Sequence, residues 1–415
     1  MHVPGRFALS IARTAAAGLA GGAVVFAAAG VFSTAGCESS GDSGDGGADA
    51  IVVQPCATAP APLVEVVGSL SVGRQAPSVA AIGPGKYLVA GGNDFTKGLA
   101  SSAEIVEPMV SKFTATGGLE SARNFAAVAL LDPTHVLVSG GASGSGTLSA
   151  SEIYDVGAGK FARTGNLGEP RQAHVALPLK DGRVVVLGGL AGTAYSATGE
   201  FFDPKAGTFA AITSKMSTPR ALFAAGLSDD GALAFAAGGG TADGKETATV
   251  ELLDVAKSSF SVNPTSLARP ARGLAAARLA DGRWLVAGGT NATDASLVDA
   301  QLFDPKSGAV TKVAPLGTRR AYHSLTTLGD GRILAVGGYS DGTTPAKSTN
   351  VMEVYDPKTD TWEQLPVGLS SPRHDHAAVL LPDCRVAIVG GQYAEAGKAP
   401  FSTYDVELVT VPFKR

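Results

Sequence analysis

The chain has 415 residues, of which 54 are glycine, and charged residues make up only 17% of it. An average protein has about 7% glycine and about 25% charged residues, so this composition favours many short strands joined by tight turns. The formal net charge is −4. This charge excludes nucleic acid as the expected partner, because phosphate binding needs a basic stripe.

The first 36 residues are typical of an export signal. Two arginines precede an apolar run at residues 14–32, and two small residues lie directly before Cys37. The small residues and the cysteine resemble the lipobox of bacterial lipoproteins, in which the cysteine is acylated. Thr34 stands where that pattern usually has leucine, so ordinary cleavage and an uncleaved anchor stay open as alternatives. The resemblance implies an exported lipoprotein in the outer membrane or at the cell surface.

A linker is predicted between this signal and the folded part of the chain. Residues 38–49 read ESSGDSGDGGAD and offer no side chain that could join a core. Glycine, serine and aspartate in these proportions favour a solvated, flexible segment. We therefore place a linker at residues 37–60 and a single domain at residues 61–415.

The domain carries a repeat that is marked by glycine pairs, each at the end of an apolar run. Successive pairs are 49, 48, 50, 50, 49 and 53 residues apart. The pairs are Gly91-Gly92, Gly140-Gly141, Gly188-Gly189, Gly238-Gly239, Gly288-Gly289, Gly337-Gly338 and Gly390-Gly391. A period of about 50 residues is the spacing of kelch repeats, in which each repeat forms one four-stranded blade.

Other positions keep the same phase. Upstream of each pair lies one arginine of the set Arg74, Arg123, Arg171, Arg220, Arg272, Arg320 and Arg373. Downstream lies an apolar residue of the set Val106, Tyr154, Phe202, Leu253, Phe303, Tyr355 and Tyr404. The pattern resembles the kelch family, within the galactose oxidase-like superfamily. The resemblance implies an all-β, seven-bladed propeller over residues 61–415.

The two ends of the domain predict how the ring closes. The last repeat ends at Arg415 without the residues of an outer strand, whereas residues 63–70 precede the first arginine with the spacing of an outer strand. We therefore expect this N-terminal strand to complete blade seven, which protects strand edges that would otherwise be open.

The two cysteines that follow Cys37 are predicted to form a disulfide. Cys384 lies in the hairpin turn of blade seven, and Cys56 lies just upstream of the donated strand. Both belong on the same face of the propeller, and an oxidising compartment permits the bond. Two free thiols are the alternative.

The arginines could form a cationic ring, but their recurrence favours a structural role. A glutamate that could bind the arginine stands two residues before the apolar position in most repeats, at Glu104, Glu152, Glu200, Glu251 and Glu353. Repeat five has Gln301 there and repeat seven has Ser402, so Arg272 and Arg373 are expected to lack a counter-charge.

Repeat seven has a further irregularity, because His374, Asp375 and His376 follow Arg373. Strand alternation would set both histidines on one side, where they could bind an anion with Arg373. Two histidines fall short of a metal site, and no metal or cofactor is expected. His376 occupies the same repeat position as His174 and His323, which favours packing. The candidate ligand-binding residues are Arg373, His374, Asp375, His376 and Arg272.

Three classes of function remain. The preferred one is a monomeric, non-catalytic binding module that presents its loop face, the usual binding face of kelch proteins, to a protein or glycan. One alternative is an enzyme that resembles kelch-type sugar epimerases or mutarotases, and another is a structural component of the envelope. A copper-radical oxidase is disfavoured, because its cofactor needs a cysteine crosslinked to tyrosine and Cys384 lies in a turn on the opposite face.

Overall fold

The computed structural model describes residues 61–293, 295–340 and 347–414. The predicted export signal, Cys37, the linker and Cys56 lie outside the described residues. Within those residues, no helix is long and apolar enough to cross a membrane.

The described chain folds into seven four-stranded antiparallel sheets, which are the blades of a propeller. The first strands of neighbouring blades contact one another and surround a central channel. These are Ser78–Gly83, Ala127–Asp132, Val175–Pro178, Ala224–Leu227, Ala275–Arg278, Ser324–Thr327 and Ala377–Leu380. The second strands are Lys86–Ala90, His135–Ser139, Val184–Leu187, Leu233–Ala237, Trp284–Ala287, Ile333–Val336 and Val386–Val389. Each second strand is almost wholly buried, which explains its continuous apolar sequence.

The third strands are Ala103–Glu107, Ser151–Asp155, Gly199–Asp203, Val250–Asp254, Ala300–Phe303, Met352–Asp356 and Asp405–Thr410. The outer strands of blades one to six are Lys112–Thr116, Lys160–Arg163, Thr208–Ala211, Ser259–Val262, Val310–Lys312 and Thr361–Gln364. Two short 3₁₀ helices occur among the described residues, at Pro108–Val110 and Ala242–Gly244.

Small hairpins follow the glycine pairs on one face of the propeller, which we call the loop face. Their strands are Asn93–Asp94 with Gly98–Leu99, Ala142–Ser143 with Gly146–Thr147, Leu190–Ala191 with Ala194–Tyr195, Thr290–Asn291 with Ala295–Ser296, Tyr339–Ser340 with Lys347–Ser348, and Gln392–Tyr393 with Phe401–Ser402.

The ring closes as the sequence predicts. The strand Leu63–Ser69 is the outer strand of blade seven and pairs antiparallel with Asp405–Thr410. Leu63 lies opposite Thr410, and Ser69 lies opposite Asp405. The seven-bladed propeller with an N-terminal closing strand is therefore confirmed.

The core consists of separate apolar clusters between neighbouring blades. The cluster at the seam joins Val79 and Tyr87 of blade one to Val389 and Leu408 of blade seven. Leu70, which directly follows the closing strand, is 3% exposed in the same cluster. The seam is therefore packed like the other blade interfaces.

The glycine pairs are required by the contact between one blade and the next. Gly91 has φ +65°, and a Cβ there would lie 2.5 Å from the carbonyl oxygen of Arg123 in the following blade. The N–H of Gly92 donates a 2.8 Å hydrogen bond to that same oxygen. A side chain at the first glycine would separate the blades, which explains why the pair recurs in every repeat.

Candidate functional site

Six of the repeated arginines among the described residues are buried inside their own blades. In blade two, Nη1 of Arg123 donates to the carbonyl oxygens of Gly140 and Ala150, each at 2.9 Å. Nη2 donates to Oε1 of Glu152 at 2.5 Å. The other carboxylate oxygen of Glu152 accepts the N–H of Glu120 at 2.8 Å. The pair ties the loop before the arginine to the third strand, so its role is structural.

Arg373 belongs to this structural set, and the expectation that it lacks a counter-charge was wrong. Its side chain is 0% exposed, and Nη2 donates to the carboxylate of Glu407. Blade seven has a longer loop than the repeat pattern indicates, so its third strand begins at Asp405. Glu407, not Ser402, pairs with Ile388 in the glutamate position.

Ser402 and Tyr404, which the repeat spacing placed in the glutamate and apolar positions, have other partners on the loop face. Ser402 Oγ donates to the carbonyl oxygen of Asn93 at 2.6 Å. The Tyr404 hydroxyl donates to Oδ2 of Asp94 at 2.7 Å. Val409 takes the apolar position assigned to Tyr404, since it pairs with Val386 at the start of the second strand.

Blade five departs from the set in a different way, because Ala271 takes the position of the structural arginine. The carbonyl oxygen of Ala271 accepts the N–H of Gly239 at 2.7 Å, as that of Arg320 accepts the N–H of Gly289 at 2.9 Å. Gln301 keeps the loop contact, since its Oε1 accepts the N–H of Ala268 at 2.7 Å.

Arg272 therefore lies one residue later than the structural arginines. Its Nη1 donates to Oε1 of Glu246 at 2.8 Å, and its side chain is 30% exposed. The expectation that Arg272 lacks a counter-charge was wrong as well. The partner comes from the loop of blade four, which sequence spacing did not indicate.

In each blade, the residue that follows the position of Arg272 belongs to a closed ring of backbone hydrogen bonds. All seven members have positive φ: Ala76, Phe125, Ala173, Leu222, Gly273, Tyr322 and Asp375. Each N–H donates to the carbonyl oxygen of the member in the preceding blade, at 2.9 to 3.4 Å. Since these residues come directly before the strands that surround the channel, the ring marks the channel mouth on the loop face.

The position of Arg272 lies just above this ring. Its equivalents each form a β-bridge to the start of the hairpin or loop that follows the glycine pair. They are Gln75, Asn124, Gln172, Ala221, Ala321 and His374. Arg272 is thus the one arginine that the described structure places at the channel mouth.

His374 and Asp375 also lie at the mouth, but both are 2% exposed. Ring nitrogens of His374 lie 2.8 Å from Ser348 Oγ and 2.5 Å from Gln392 Nε2. Burial lowers the pKa of His374 to about 3, so the imidazole is neutral. Oδ2 of Asp375 accepts Nε2 of Gln75 at 3.1 Å.

The expectation that His374 and His376 share one side of a strand was wrong. Asp375 between them has φ +52°, and this left-handed residue interrupts the alternation of side chains. Nε2 of His376 lies 2.9 Å from Ser324 Oγ in blade six. His376 therefore packs between blades, in the slot that Phe223 and Leu274 fill elsewhere, each against a first glycine of the preceding blade.

Arg272 lies in a notch that a missing side chain leaves open. A Cβ at Gly240 would lie 3.2 Å from the hydroxyl oxygen of Tyr195 and 3.4 Å from Cδ of Arg272. Nε of Arg272 donates to the Tyr322 hydroxyl at 3.3 Å. The notch therefore joins side chains from the loops and strands of blades three to six.

The comparisons with known proteins agree with this fold. Residues 227–407 match the family described as the KLHDC2/KLHL20/DRC7 Kelch-repeats domain. The solved structure titled "Structure of YjhT" is similar over 71% of this chain and 98% of its own, with a TM-score of 0.55 and 15% sequence identity. This chain is a kelch-repeat β-propeller. No curated protein matches it significantly.

The titratable groups described at the mouth of the kelch propeller are paired, buried or neutral. Arg272 pairs with Glu246, Asp375 is buried, and His374 is neutral. In the described part of the chain, no three His, Cys, Asp or Glu side chains are grouped to hold a metal ion. Such an arrangement can donate and accept hydrogen bonds with a polar ligand.

Sequence reasoning found part of the mouth of the kelch propeller and missed the rest. It placed Arg272, His374 and Asp375 among the candidates, but it did not find Tyr195, Glu246 or Gly240. The one sequence signal that Arg272 is displaced from the structural position was its spacing. Arg272 precedes its glycine pair by 16 residues, whereas Arg320 precedes its pair by 17 residues. Nothing in the sequence pattern indicated Glu246, because it lies in a loop outside the repeated positions.

Proposed function

We propose that this kelch propeller is a monomeric, non-catalytic binding module that takes a protein or glycan ligand at the channel mouth. We propose further that an acylated Cys37 holds it at a bacterial membrane. The observation that carries the proposal is the displacement of Arg272 from the structural position to the mouth. An arginine inside a blade serves the fold, whereas a partly exposed one at the channel mouth is available to a ligand.

The hydrogen bonds of Arg272 leave part of its guanidinium available. Nε binds the Tyr322 hydroxyl and Nη1 binds Glu246, whereas Nη2 has no partner among the described residues. The two contacts fix the plane of the guanidinium, so little conformational entropy is lost when Nη2 donates to a ligand oxygen.

Leu222 is partly exposed at the mouth and lies beside this donor, since its carbonyl oxygen accepts the N–H of Gly273, the residue after Arg272. Phe125 of blade two adds a second partly exposed apolar side chain at the mouth. A ligand that combines hydroxyl or carbonyl oxygens with an apolar face fits this pair of features. Both glycans and polypeptides have this character.

The burial of His374 and Asp375, the candidate acid and base, supports binding over catalysis. Both ring nitrogens of His374 contact neighbouring polar side chains, and burial keeps the ring neutral. Asp375 is buried beneath Gln75 and Gln392. A general acid or base must reach the proton that it transfers, and these two side chains are enclosed by protein.

The position of the closing strand indicates how the propeller would be oriented on a membrane. Leu63 lies opposite Thr410 at the face of the hairpin turns, and Arg385 from such a turn lies 3.4 Å from Glu65. The described chain therefore begins at the face opposite the mouth. A tether on that side would present the mouth away from the membrane.

The test combines a glycan array with labelling of the lipid anchor. The full chain, purified in detergent after export, should bind a defined set of array glycans or envelope proteins, and Arg272→Ala should lower that affinity about tenfold or more. Arg163→Ala serves as the matched control, since Arg163 is 68% exposed on an outer strand. Turnover of a bound sugar would contradict the non-catalytic assignment, and unchanged acylation of Cys37→Ser would contradict the anchor.

A further inference from the structure

A second surface on the loop face carries exposed aromatic side chains at the seam of the ring. It consists of Phe95 in the blade-one hairpin and of Tyr393 and Phe401 in the blade-seven hairpin, and we call it the aromatic surface. Phe95 is 40% exposed and Phe401 is 47% exposed. The rings of Tyr393 and Phe401 lie 5.0 Å apart at an interplanar angle of 34°.

The two hairpins hold each other in place. The N–H of Phe95 donates to Ser402 Oγ at 3.3 Å, and Ser402 Oγ donates to Asn93. The aromatic surface is thus formed across the seam by both ends of the propeller. Its geometry depends on closure of the ring.

The fold does not require aromatic residues at these positions. Tyr393 pairs with Phe401. The equivalent pairs in the other described hairpins are Asp94 with Gly98, Ser143 with Gly146, Ala191 with Ala194, Asn291 with Ala295, and Ser340 with Lys347. Small or polar residues therefore suffice for the hairpin. Exposed aromatic rings that the fold does not need are typical of interaction sites.

Lysines surround the aromatic surface. Lys97 lies 5.5 Å from the centroid of the Tyr404 ring, and Lys398 is 64% exposed. Lys347 is exposed and lies beside Glu395 through a β-bridge. Two carboxylates of the described residues lie beside these lysines: Glu395, which is 22% exposed and binds Lys398 at 2.9 Å, and the buried Asp94, which accepts the N–H of Lys97 at 3.2 Å. Three lysines against these two carboxylates leave one net positive charge at the rim, on a chain whose formal charge is −4.

We propose that the aromatic surface docks an acidic segment of another protein. Leucine or phenylalanine side chains of that segment would pack on Phe95 and Phe401, and its aspartates or glutamates would bind Lys97 and Lys398. Aromatic anchors inside a charged rim are the usual composition of a protein interface. The charge of the rim favours an acidic partner over a basic one. This site is separate from the channel mouth and does not use Arg272.

A peptide library displayed on phage tests the proposal with the full chain as bait. Selection of random twelve-residue peptides should enrich sequences that combine aspartate or glutamate with leucine or phenylalanine. The double variant Phe95→Ser/Phe401→Ser should lower the affinity of an enriched peptide by about tenfold or more in fluorescence anisotropy. Lys97→Glu/Lys398→Glu should weaken it by a similar factor, and added salt should weaken wild-type binding.

Two control variants keep the result specific. Val262→Ser removes an apolar side chain that is 52% exposed on the outer strand of blade four, and it should leave peptide affinity unchanged. Arg272→Ala should also leave it unchanged, which separates this surface from the mouth. The proposal would be overturned if the selection enriched neutral or basic peptides, or if peptide affinity survived the Phe95→Ser/Phe401→Ser change. It would also be overturned if that double variant no longer bound the glycans of the array, because the two sites would then not be separate.

Discussion

The N–H of Ala76 donates a 3.0 Å hydrogen bond to the carbonyl oxygen of Asp375, and this bond closes the backbone ring at the channel mouth. A second bond across the same seam joins the N–H of Gly391 to the carbonyl oxygen of Arg74 at 2.8 Å. The seam thus has the same bonds as the other interfaces. Blade seven is nevertheless made from both ends of the chain, so its stability depends on the donated strand.

Removal of the closing strand should open the ring. A chain that starts at residue 71 loses the partner of Asp405–Thr410 and the buried side chain of Leu70. The exposed strand edge should then pair with other molecules. We expect a lower Tm and higher oligomers in size-exclusion chromatography with light scattering. A chain that starts at residue 61 is the control and should stay monomeric; a monomeric truncation with an unchanged Tm would contradict this account.

Loss of one partner of a buried ion pair should cost more than loss of both. Arg320→Ala leaves the carboxylate of Glu353 buried, since the two side chains are 0% and 1% exposed. The free energy of unfolding should fall by about 3–5 kcal/mol in chemical denaturation. The double variant Arg320→Ala/Glu353→Gln copies Ala271 and Gln301 of blade five, so it should recover a substantial part of that loss. Additive costs of the two changes would contradict the coupling.

The repeat could be read from the sequence because it follows from local geometry. Gly91 and its equivalents need φ values that other residues rarely adopt, so the spacing of the pairs survives in the sequence. The donated strand was also predictable, since residues 63–70 keep the spacing of an outer strand and the last repeat lacks one.

The candidate site was less predictable because it depends on departures from the repeat. A single-residue offset moves Arg272 from inside a blade to the channel mouth, and spacing alone cannot show which of two neighbouring positions is buried. In blade seven, a longer loop moved Glu407 into the position assigned to Ser402. Loop length is not fixed by the strand pattern, so registers after an insertion are the least certain part of a repeat alignment.

A leucine at position 323 should stabilise the propeller, most of all in acid. Neither ring nitrogen of His323 has a hydrogen-bond partner among the described residues. Burial, and then the charge of Arg320, hold its pKa well below 6.5. The unfolded chain therefore binds a proton below about pH 6.5 that the folded chain does not bind, and stability falls as the pH falls.

His323→Leu removes this penalty and copies Leu274 in the same slot. The gain in the free energy of unfolding should be about 1 kcal/mol at pH 8, from the loss of an unsatisfied polar ring. It should be larger at pH 5, by about 1.4 kcal/mol for each pH unit below the pKa of the unfolded chain. Urea unfolding at the two pH values measures both gains. An equal gain at both would show that His323 titrates alike in the folded and unfolded chain.

The bond of Cys384 should compensate for an unfavourable backbone conformation. Cys384 is disulfide-bonded and has φ +67°, in the turn position where Gly182, Gly282 and Gly331 stand. Its predicted partner, Cys56, lies outside the described residues, so this pairing stays a prediction. Cys56→Ser should lose the bond and about 2–4 kcal/mol of stability. Cys384→Gly should lose the same bond but relieve the left-handed backbone, so it should be more stable than Cys56→Ser by about 1 kcal/mol.

Thermal unfolding with and without reductant measures the difference, and reductant should have no effect on either variant. Mass spectrometry of an unreduced digest identifies the partner, and a peptide that links Cys384 to Cys37 would contradict both the pairing and the lipid anchor.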